Sequence, residues 1–225
     1  MDPQTLARFD EVGAVHLPGA AMPALKALGA ALARWPDGEP GTRISGDVAI
    51  GSLLAPSSVI GSLIAGVVGE VMHPVRAIYF DKNDTNNWSL GWHQDRTIAV
   101  KERAEVPDFE PWTIKQGILH VQPPISVIAS LRTIRIHLDP VPHDNGPLLV
   151  MPGSHRLGLV PAEACSEVAA TSPALVCLAD TGDVWLYHTL ILHASERSNP
   201  RSRRRVLQVD YAADQLPAPL EWLGV

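Results

Sequence analysis

The pattern of hydrophobic and polar positions divides the chain into a helical first third and a strand-rich remainder. Apolar residues recur at helical spacing over residues 22–34, and again over residues 57–71, where leading serines can cap a helix. A short helix is also expected at residues 3–9 and a short strand at residues 13–19. The run WPDG at residues 35–38 is expected to end the helix of residues 22–34.

From residue 75 onward, β-rich runs separated by turn signals predict strands. The strands are expected at residues 75–80, 92–100, 131–139, 184–188 and 205–213, with turns at Asn145-Gly146 and Gly182-Asp183. Residues 101–124 contain four prolines and are predicted to form a long loop, which could act as a lid. Short strands without intervening helices favour an antiparallel barrel or sandwich.

Length and composition indicate one domain of ordinary globular character. The chain has 225 residues, of which 46% are hydrophobic, so we expect a single domain over residues 1–225, helical to about residue 74 and a barrel core at about 75–213. A net charge of −6 argues weakly against a general nucleic-acid surface. Cys165 and Cys177 fit no common zinc pattern and are expected to be unpaired thiols. With no signal-peptide pattern and no apolar run of about 18–20 residues, we expect a soluble cytoplasmic protein without membrane partners.

The stretch GWHQDRTIAV at residues 91–100 suggests half of a metal site. Residues two apart on a strand project from the same face, so His93 and Asp95 can aim at one point while Gln94 points away. His193 closes the apolar run VWLYHTLILH, as a third ligand at a barrel mouth would. Two histidines and one carboxylate match the facial triad of non-haem iron(II) oxygenases, which leaves metal positions open for cosubstrate and O₂.

Four pieces of the sequence together resemble the phytanoyl-CoA dioxygenase-like family of Fe(II)/2-oxoglutarate-dependent oxygenases. They are WHQD at 92–95, DNGPLLVMPGSHRLG at 144–158, GDVWLYHTLILHAS at 182–195, and an arginine after the distal histidine. The resemblance covers roughly residues 75–212 and implies a mainly β fold with flanking helices, a double-stranded β-helix (jelly-roll or cupin-like barrel). It also implies that His93, Asp95 and His193 hold Fe(II), that 2-oxoglutarate and O₂ are cosubstrates, and that ascorbate supports turnover.

The resemblance further implies an arginine that pairs with the far carboxylate of 2-oxoglutarate, a task for which a planar guanidinium is suited. The family's spacing selects Arg204, whereas strand alternation favours Arg205, which shares a more apolar face with Tyr211. Arg204 is the first choice and Arg205 the reserve, while Arg203 is expected to be solvated. Ser195 resembles the family's hydroxyl that assists the same carboxylate, although it could simply cap a turn.

The reaction and the substrate are less well defined by the sequence. Related halogenases carry a small residue at the carboxylate position, so Asp95 favours hydroxylation of an unactivated C–H bond in a small-molecule metabolite. The alternative is a cupin-like barrel that binds metal without turnover or with different chemistry. Oligomeric state is not predicted. Further residues that could reach substrate or cosubstrate, or have only packing roles, are Lys82, Trp112, Lys115, His120, Gln122 and Arg135.

Overall fold

The structure, a computed structural model, describes residues 3–35, 40–199 and 202–225. Its helices are α1 (Pro3–Val12), α2 (Met22–Leu32), α3 (Val48–Leu54), α4 (Val59–Val68), α5 (Ile125–Ser130) and α6 (Cys165–Ala169). Its strands are β1 (Ala14–Leu17), β2 (Thr42–Ile44), β3 (His73–Lys82), β4 (Leu90–His93), β5 (Ile98–Ala99), β6 (Trp112–Lys115), β7 (Ile118–Val121), β8 (Arg132–His137), β9 (Leu148–Val150), β10 (Leu175–Cys177), β11 (Val184–His188), β12 (His193–Ser195) and β13 (Arg204–Ala212). The predicted stop at residues 35–38 lies largely outside the described residues.

The strands form a larger and a smaller antiparallel sheet, with a third sheet beside them. The six-stranded sheet has the order β1-β11-β8-β13-β3-β2, and the four-stranded sheet has the order β10-β9-β12-β4. The third sheet, β5-β7-β6, contains a hairpin formed by its last two strands. The prediction of a mainly β fold with flanking helices, in the jelly-roll arrangement, is confirmed.

Helices α2, α3 and α4 cover the outer face of the six-stranded sheet. Leu28, Ile50 and Ile64 from these helices are fully buried in one cluster with Ile134 and Leu207 of the sheet. The local sequence sets the helix starts, because Asp47 accepts from the amides of the first turn of α3 and Ser58 does the same for α4. This packing leaves the opposite face of the sheet to line the interior of the barrel.

The segment Val48–Val68 corrects one expectation about apolar runs. By length and composition alone, these 21 residues are apolar enough to cross a membrane. The chain is nevertheless interrupted between α3 and α4, where the Ser58 side chain caps the second helix. Ile50 and Ile60 are fully buried in the core that the two helices share with the sheet. In the structure the segment is therefore two short helices packed on a sheet.

Two predictions about residues 91–124 are wrong in part. The strand expected at 92–100 is split into β4 and β5, and Asp95 lies in irregular chain just beyond β4. The loop expected at 101–124 contains the hairpin β6–β7, whose two-residue turn is Gln116-Gly117. Both turn residues have positive φ, 51° and 75°, as a tight hairpin turn of this kind requires. The hairpin is thus an ordered element beside the barrel mouth.

Candidate metal centre

The barrel brings together three side chains that are far apart in the sequence. His93 ends β4 and His193 begins β12, and these residues are direct partners in the smaller sheet. Their ring centroids lie 4.2 Å apart. Asp95 follows β4 by two residues, and one ligand atom from each of the three side chains lies within 4.8 Å of the others. The structure therefore gathers the three residues that the sequence analysis selected, although Asp95 does not reach the site from a strand.

Both histidines are oriented by the backbone in the same way. Nδ1 of His93 lies 2.7 Å from the carbonyl oxygen of Gly91, and Nδ1 of His193 lies 3.0 Å from that of Ile191. Because a carbonyl only accepts hydrogen bonds, Nδ1 is the protonated nitrogen in each neutral ring, which leaves the lone pair of Nε2 free. This is the arrangement that metal-bound histidines commonly have. Burial lowers the pKa of His193 to about 4, so its ring is neutral at pH 7.

The carboxylate of Asp95 is held in its charged form by its neighbours. Nη2 of Arg76 lies 3.3 Å from Oδ2 of Asp95, and the Gln208 amide donates to the same oxygen at 3.3 Å. Burial alone would raise the pKa of Asp95, but Arg76 and the two histidines outweigh it, so this pKa is lowered. Arg76 itself is fixed by Asp210, whose Oδ2 lies 2.5 Å from its Nε. Two neutral imidazoles and an ionised carboxylate suit a divalent metal.

The three residues line one wall of a cavity of about 290 Å³ inside the barrel. Arg204 lines its inner part, is 2% exposed, and donates from Nη1 to the carbonyl of Gly146. Nε of Arg204 is buried without a hydrogen-bond partner among the described residues. Burial, with a contribution from the nearby Arg135, lowers the pKa of Arg204 to about 9. Ser195 lines the same cavity from the end of β12.

Lys82 is a third basic side chain at this inner end. It lies opposite Arg204 in the register of β3 and β13, and its side chain is fully buried. Its Nζ donates to the carbonyl of Glu196 at 2.6 Å and lies 4.9 Å from the centroid of the Trp88 ring. Burial first, and then the charges of Arg204 and Arg135, lower the pKa of Lys82 to about 6. This end of the cavity therefore provides a concentrated set of donors for an anion.

The three adjacent arginines have different surroundings. Arg205 points away from the cavity and binds Asp139, with Nη2 2.6 Å from Oδ1 and Nε 2.8 Å from Oδ2. Arg203 is half-exposed and pairs with Asp81, so it is not simply solvated. The preference for Arg205 assumed that the apolar face of β13 points inward. That assumption is wrong, because the face carrying Leu207, Val209 and Tyr211 packs beneath the helices.

Of the additional residues singled out in the sequence, Lys82, Arg135 and Lys115 line the cavity, whereas Trp112, His120 and Gln122 do not. Sequence reasoning missed Arg43, Arg76, Trp88 and Gln208, which also line it. The usable signal for Arg76 and Gln208 was their polarity inside otherwise apolar strands, since a buried polar or charged group requires a partner.

Comparisons with known proteins agree with this architecture. The family model described as "Phytanoyl-CoA dioxygenase (PhyH)" matches residues 47–206. No curated protein sequence matches the chain significantly.

Three solved structures illustrate the likeness of fold. AviO1 from Streptomyces viridochromogenes Tue57 is 21% identical with a TM-score of 0.66, and the match covers 96% of this chain and 97% of that one. The non-heme alpha ketoglutarate dependent epimerase SnoN from nogalamycin biosynthesis is 17% identical with a TM-score of 0.66, covering 93% and 79%. EctD from S. alaskensis, solved with 2-oxoglutarate and 5-hydroxyectoine, is 19% identical with a TM-score of 0.65, covering 100% and 80%. At these identities the likenesses show a shared fold.

Proposed function

Because this chain belongs to the phytanoyl-CoA dioxygenase family, we propose that it is an Fe(II)- and 2-oxoglutarate-dependent dioxygenase that hydroxylates an unactivated C–H bond of a small molecule. The observation that carries the proposal is the convergence of His93, Asp95 and His193, with ligand atoms within 4.8 Å of one another. The two histidines present free Nε2 lone pairs, and Asp95 is ionised. This donor set fits Fe(II) and leaves part of an octahedral coordination sphere open.

The chain's own groups hold and orient the reactants. Fe(II), together with 2-oxoglutarate and O₂, supplies the oxidation of a C–H bond, which protein side chains cannot perform by themselves. His93, Asp95 and His193 hold the metal, and the backbone carbonyls of Gly91 and Ile191 keep the two imidazoles in the required tautomer. The barrel interior keeps the reacting groups away from bulk water.

Arg204 and Ser195 are proposed to bind the far carboxylate of 2-oxoglutarate. A buried guanidinium whose Nε lacks a partner lacks part of its hydrogen bonding, and a carboxylate restores it with charge-assisted bonds. Lys82 lies opposite Arg204 in the sheet, and its amine adds hydrogen-bond donors at this end. Arg205 is not assigned to this role, because it is already paired with Asp139 outside the cavity.

Hydroxylation is the proposed outcome among those found in related folds. The neighbours include a protein described as an epimerase and another described as a carbocyclase, so the fold alone does not select the reaction. Asp95 supports hydroxylation, because a carboxylate fills the position that halogenases leave open for halide. EctD, solved with 2-oxoglutarate and the hydroxylated compound 5-hydroxyectoine, supports the same choice. We further propose one domain over residues 1–225, a cytoplasmic location and a small-molecule substrate, without a nucleic-acid or membrane partner.

The proposal is tested by 2-oxoglutarate turnover and metal binding in parallel. With Fe(II), ascorbate and O₂, the wild-type protein should convert 2-oxoglutarate slowly to succinate even without substrate. His93→Ala and Asp95→Ala should abolish succinate release and weaken metal binding measured by calorimetry. His143→Ala removes an exposed histidine and serves as the control. Wild-type succinate release by both triad variants would remove the triad from the proposal.

A further inference from the structure

The cavity carries more positive charge than the proposed cofactors neutralise. Six basic side chains line it, Arg43, Arg76, Lys82, Lys115, Arg135 and Arg204, whereas Asp95 is its single acidic lining residue among those described. Arg76 is matched by Asp210 and Asp95. A divalent metal and a dicarboxylate such as 2-oxoglutarate cancel each other's charge. A surplus of cations therefore remains after the proposed cofactors are bound.

The basic residues form two separate groups. Lys82, Arg135 and Arg204 lie at the inner end, where the charges of the two arginines act on Lys82. Arg43 and Lys115 lie on the side of Asp95, where Arg76 and Asp95 act on both. The inner group is assigned to the far carboxylate of 2-oxoglutarate. The second group has no ligand in the proposed function.

Two elements of the fold present this second group. Arg43 lies on the edge strand β2, opposite the cavity residue Ile78 of β3. Lys115 is the last residue of β6, and its Nζ donates to the Thr97 hydroxyl at 3.0 Å. Gln116, at the turn of the β6–β7 hairpin, makes the contact between the hairpin and β2.

The side chain of Gln116 joins the hairpin to the edge strand. Its Oε1 accepts from the backbone amide of Arg43 at 2.9 Å, and its Nε2 donates to the carbonyl of Gly41 at 3.0 Å. These bonds hold the turn next to Lys115 against the strand that carries Arg43. The two cations are thus positioned by a specific hydrogen-bonded contact between β2 and the hairpin.

Asp95 compensates the positive charge of Arg43 and Lys115 only in part. Nε of Arg43 is buried and has no hydrogen-bond partner in the part of the chain that the structure describes. Burial and the charge of Arg76 lower the pKa of Arg43. Burial, followed by the charges of Arg76 and Arg43, lowers the pKa of Lys115. Half-buried like charges of this kind are stabilised by a bound anion that supplies both attraction and hydrogen bonds.

We propose that the substrate carries an anionic group, a carboxylate or a phosphate, that binds between Arg43 and Lys115 and so directs the rest of the molecule toward the metal site. This inference rests on the proposed function and specifies its substrate class. Ile78, Phe80 and Leu90 also line the cavity and provide apolar contact for a carbon skeleton. A cavity of about 290 Å³ that also holds the metal and 2-oxoglutarate admits only a small substrate, or only the end of a larger one.

The test compares small probes that differ in charge but share a carbon chain. The protein is loaded with Fe(II) and 2-oxoglutarate under nitrogen, so that the inner site is filled and no turnover occurs. Dissociation constants are then measured by ligand-observed NMR for hexanoate, hexyl phosphate, hexanamide and hexylamine. At least one anion should bind roughly tenfold more tightly than hexanamide, the ratio expected for one charge-assisted contact. The better anion distinguishes a carboxylate substrate from a phosphate substrate.

Two variants locate the effect at the proposed residues. Arg43→Gln and Lys115→Met should each reduce the preference for the anion over hexanamide about five- to tenfold. The controls Arg8→Gln and Lys26→Met remove exposed cations of α1 and α2 and should keep the preference. Thermal melting checks that each variant folds, and Lys115→Met decides the test if Arg43→Gln does not, because Lys115 lies in a partly exposed hairpin.

The results separate this inference from the proposed function. The inference is wrong if neither anion binds more tightly than hexanamide, or if both variants keep the wild-type preference. Succinate release from 2-oxoglutarate is measured on the same wild-type preparation in air. Normal succinate release without a preference for anions contradicts only the inference. Absence of succinate release from the wild-type protein contradicts the proposed function.

Discussion

Replacement of Arg204 by glutamine tests how the inner end of the cavity binds 2-oxoglutarate. Glutamine keeps hydrogen-bonding capacity but removes the positive charge and the planar pair of donors that match a carboxylate. Arg204 is almost fully buried and makes no ion pair in the described part of the chain, so the substitution removes its hydrogen bond to the Gly146 carbonyl but no internal charge pair. The expected effect is therefore on cosubstrate binding rather than on folding.

The size of the effect follows from the neighbours of Arg204. Loss of one partner from a buried, hydrogen-bonded charge pair costs about 2–5 kcal/mol. Arg135 remains close and partly replaces the lost charge, so we take the lower part of this range, about 2–3 kcal/mol. This corresponds to an increase of roughly 30- to 150-fold in the KM for 2-oxoglutarate. The kcat at saturating 2-oxoglutarate should change much less, because Arg204 is proposed to bind the far carboxylate of 2-oxoglutarate and does not bind the metal.

The assay is succinate production as a function of 2-oxoglutarate concentration, with Arg205→Gln as the matched control. Arg205 lies next in sequence but binds Asp139 outside the cavity, so its loss should leave the KM within about twofold of the wild-type value. An unchanged KM for Arg204→Gln would refute the assignment. An equal rise for Arg205→Gln would contradict the orientation of β13 in which Arg204 faces the cavity and Arg205 does not.

Three further predictions concern residues around the cavity. Gly146→Ala should lower the thermal stability and raise the KM for 2-oxoglutarate. The φ angle of Gly146 is +58°, and an added Cβ would lie 2.6 Å from the carbonyl oxygen of Glu196. An unchanged melting temperature would contradict this. Lys82→Met should stabilise the cofactor-free protein most at and below about pH 6, and this gain should shrink as the pH rises toward 10. The reason is that the pKa of Lys82 is about 6 in the folded state and 10.5 in the unfolded state, so the cost of burying its amine falls as the pH rises between these two values; a gain independent of pH in chemical denaturation would refute this. Gln116→Ala should speed hydrogen exchange at residues 114–118, because it removes the two hydrogen bonds from this side chain to the segment of β2. The control Gln122→Ala, outside the cavity, should leave this exchange unchanged, and equal exchange in both variants would show that Gln116 does not hold the hairpin.

The long strands could be predicted from the sequence because their residues have strong β preferences and their turns are well marked. The strands expected at 131–139, 184–188 and 205–213 correspond to β8, β11 and β13 within one or two residues. The hairpin β6–β7 could not, because the prolines around it resemble a loop and its Gln116-Gly117 turn lacks the usual asparagine or aspartate. Short elements such as β2 and α3 give too few residues for a periodic pattern.

The convergence of His93, Asp95 and His193 could be predicted from the sequence, but the irregular chain that carries Asp95 could not. His93 and Asp95 form a local motif, and His193 follows from the apolar strand-like run before it and from the family resemblance. The inward face of β13 could not be deduced, because the barrel interior is polar at the site and the helices bury the other face. Alternation therefore pointed to Arg205, and the cavity positions of Arg43 and Arg76 were missed for the same reason. Which face of a strand is the inner one depends on packing that distant segments provide.

The most direct test of the whole account is the position of iron in a crystal soaked under nitrogen with Fe(II) and 2-oxoglutarate. An anomalous difference map recorded at the iron edge should show one strong peak within coordination distance of Nε2 of His93, a carboxylate oxygen of Asp95 and Nε2 of His193. Clear density for 2-oxoglutarate should extend from that peak toward Arg204. Iron bound elsewhere, or coordination by Nδ1 instead of Nε2, would contradict the proposed metal centre.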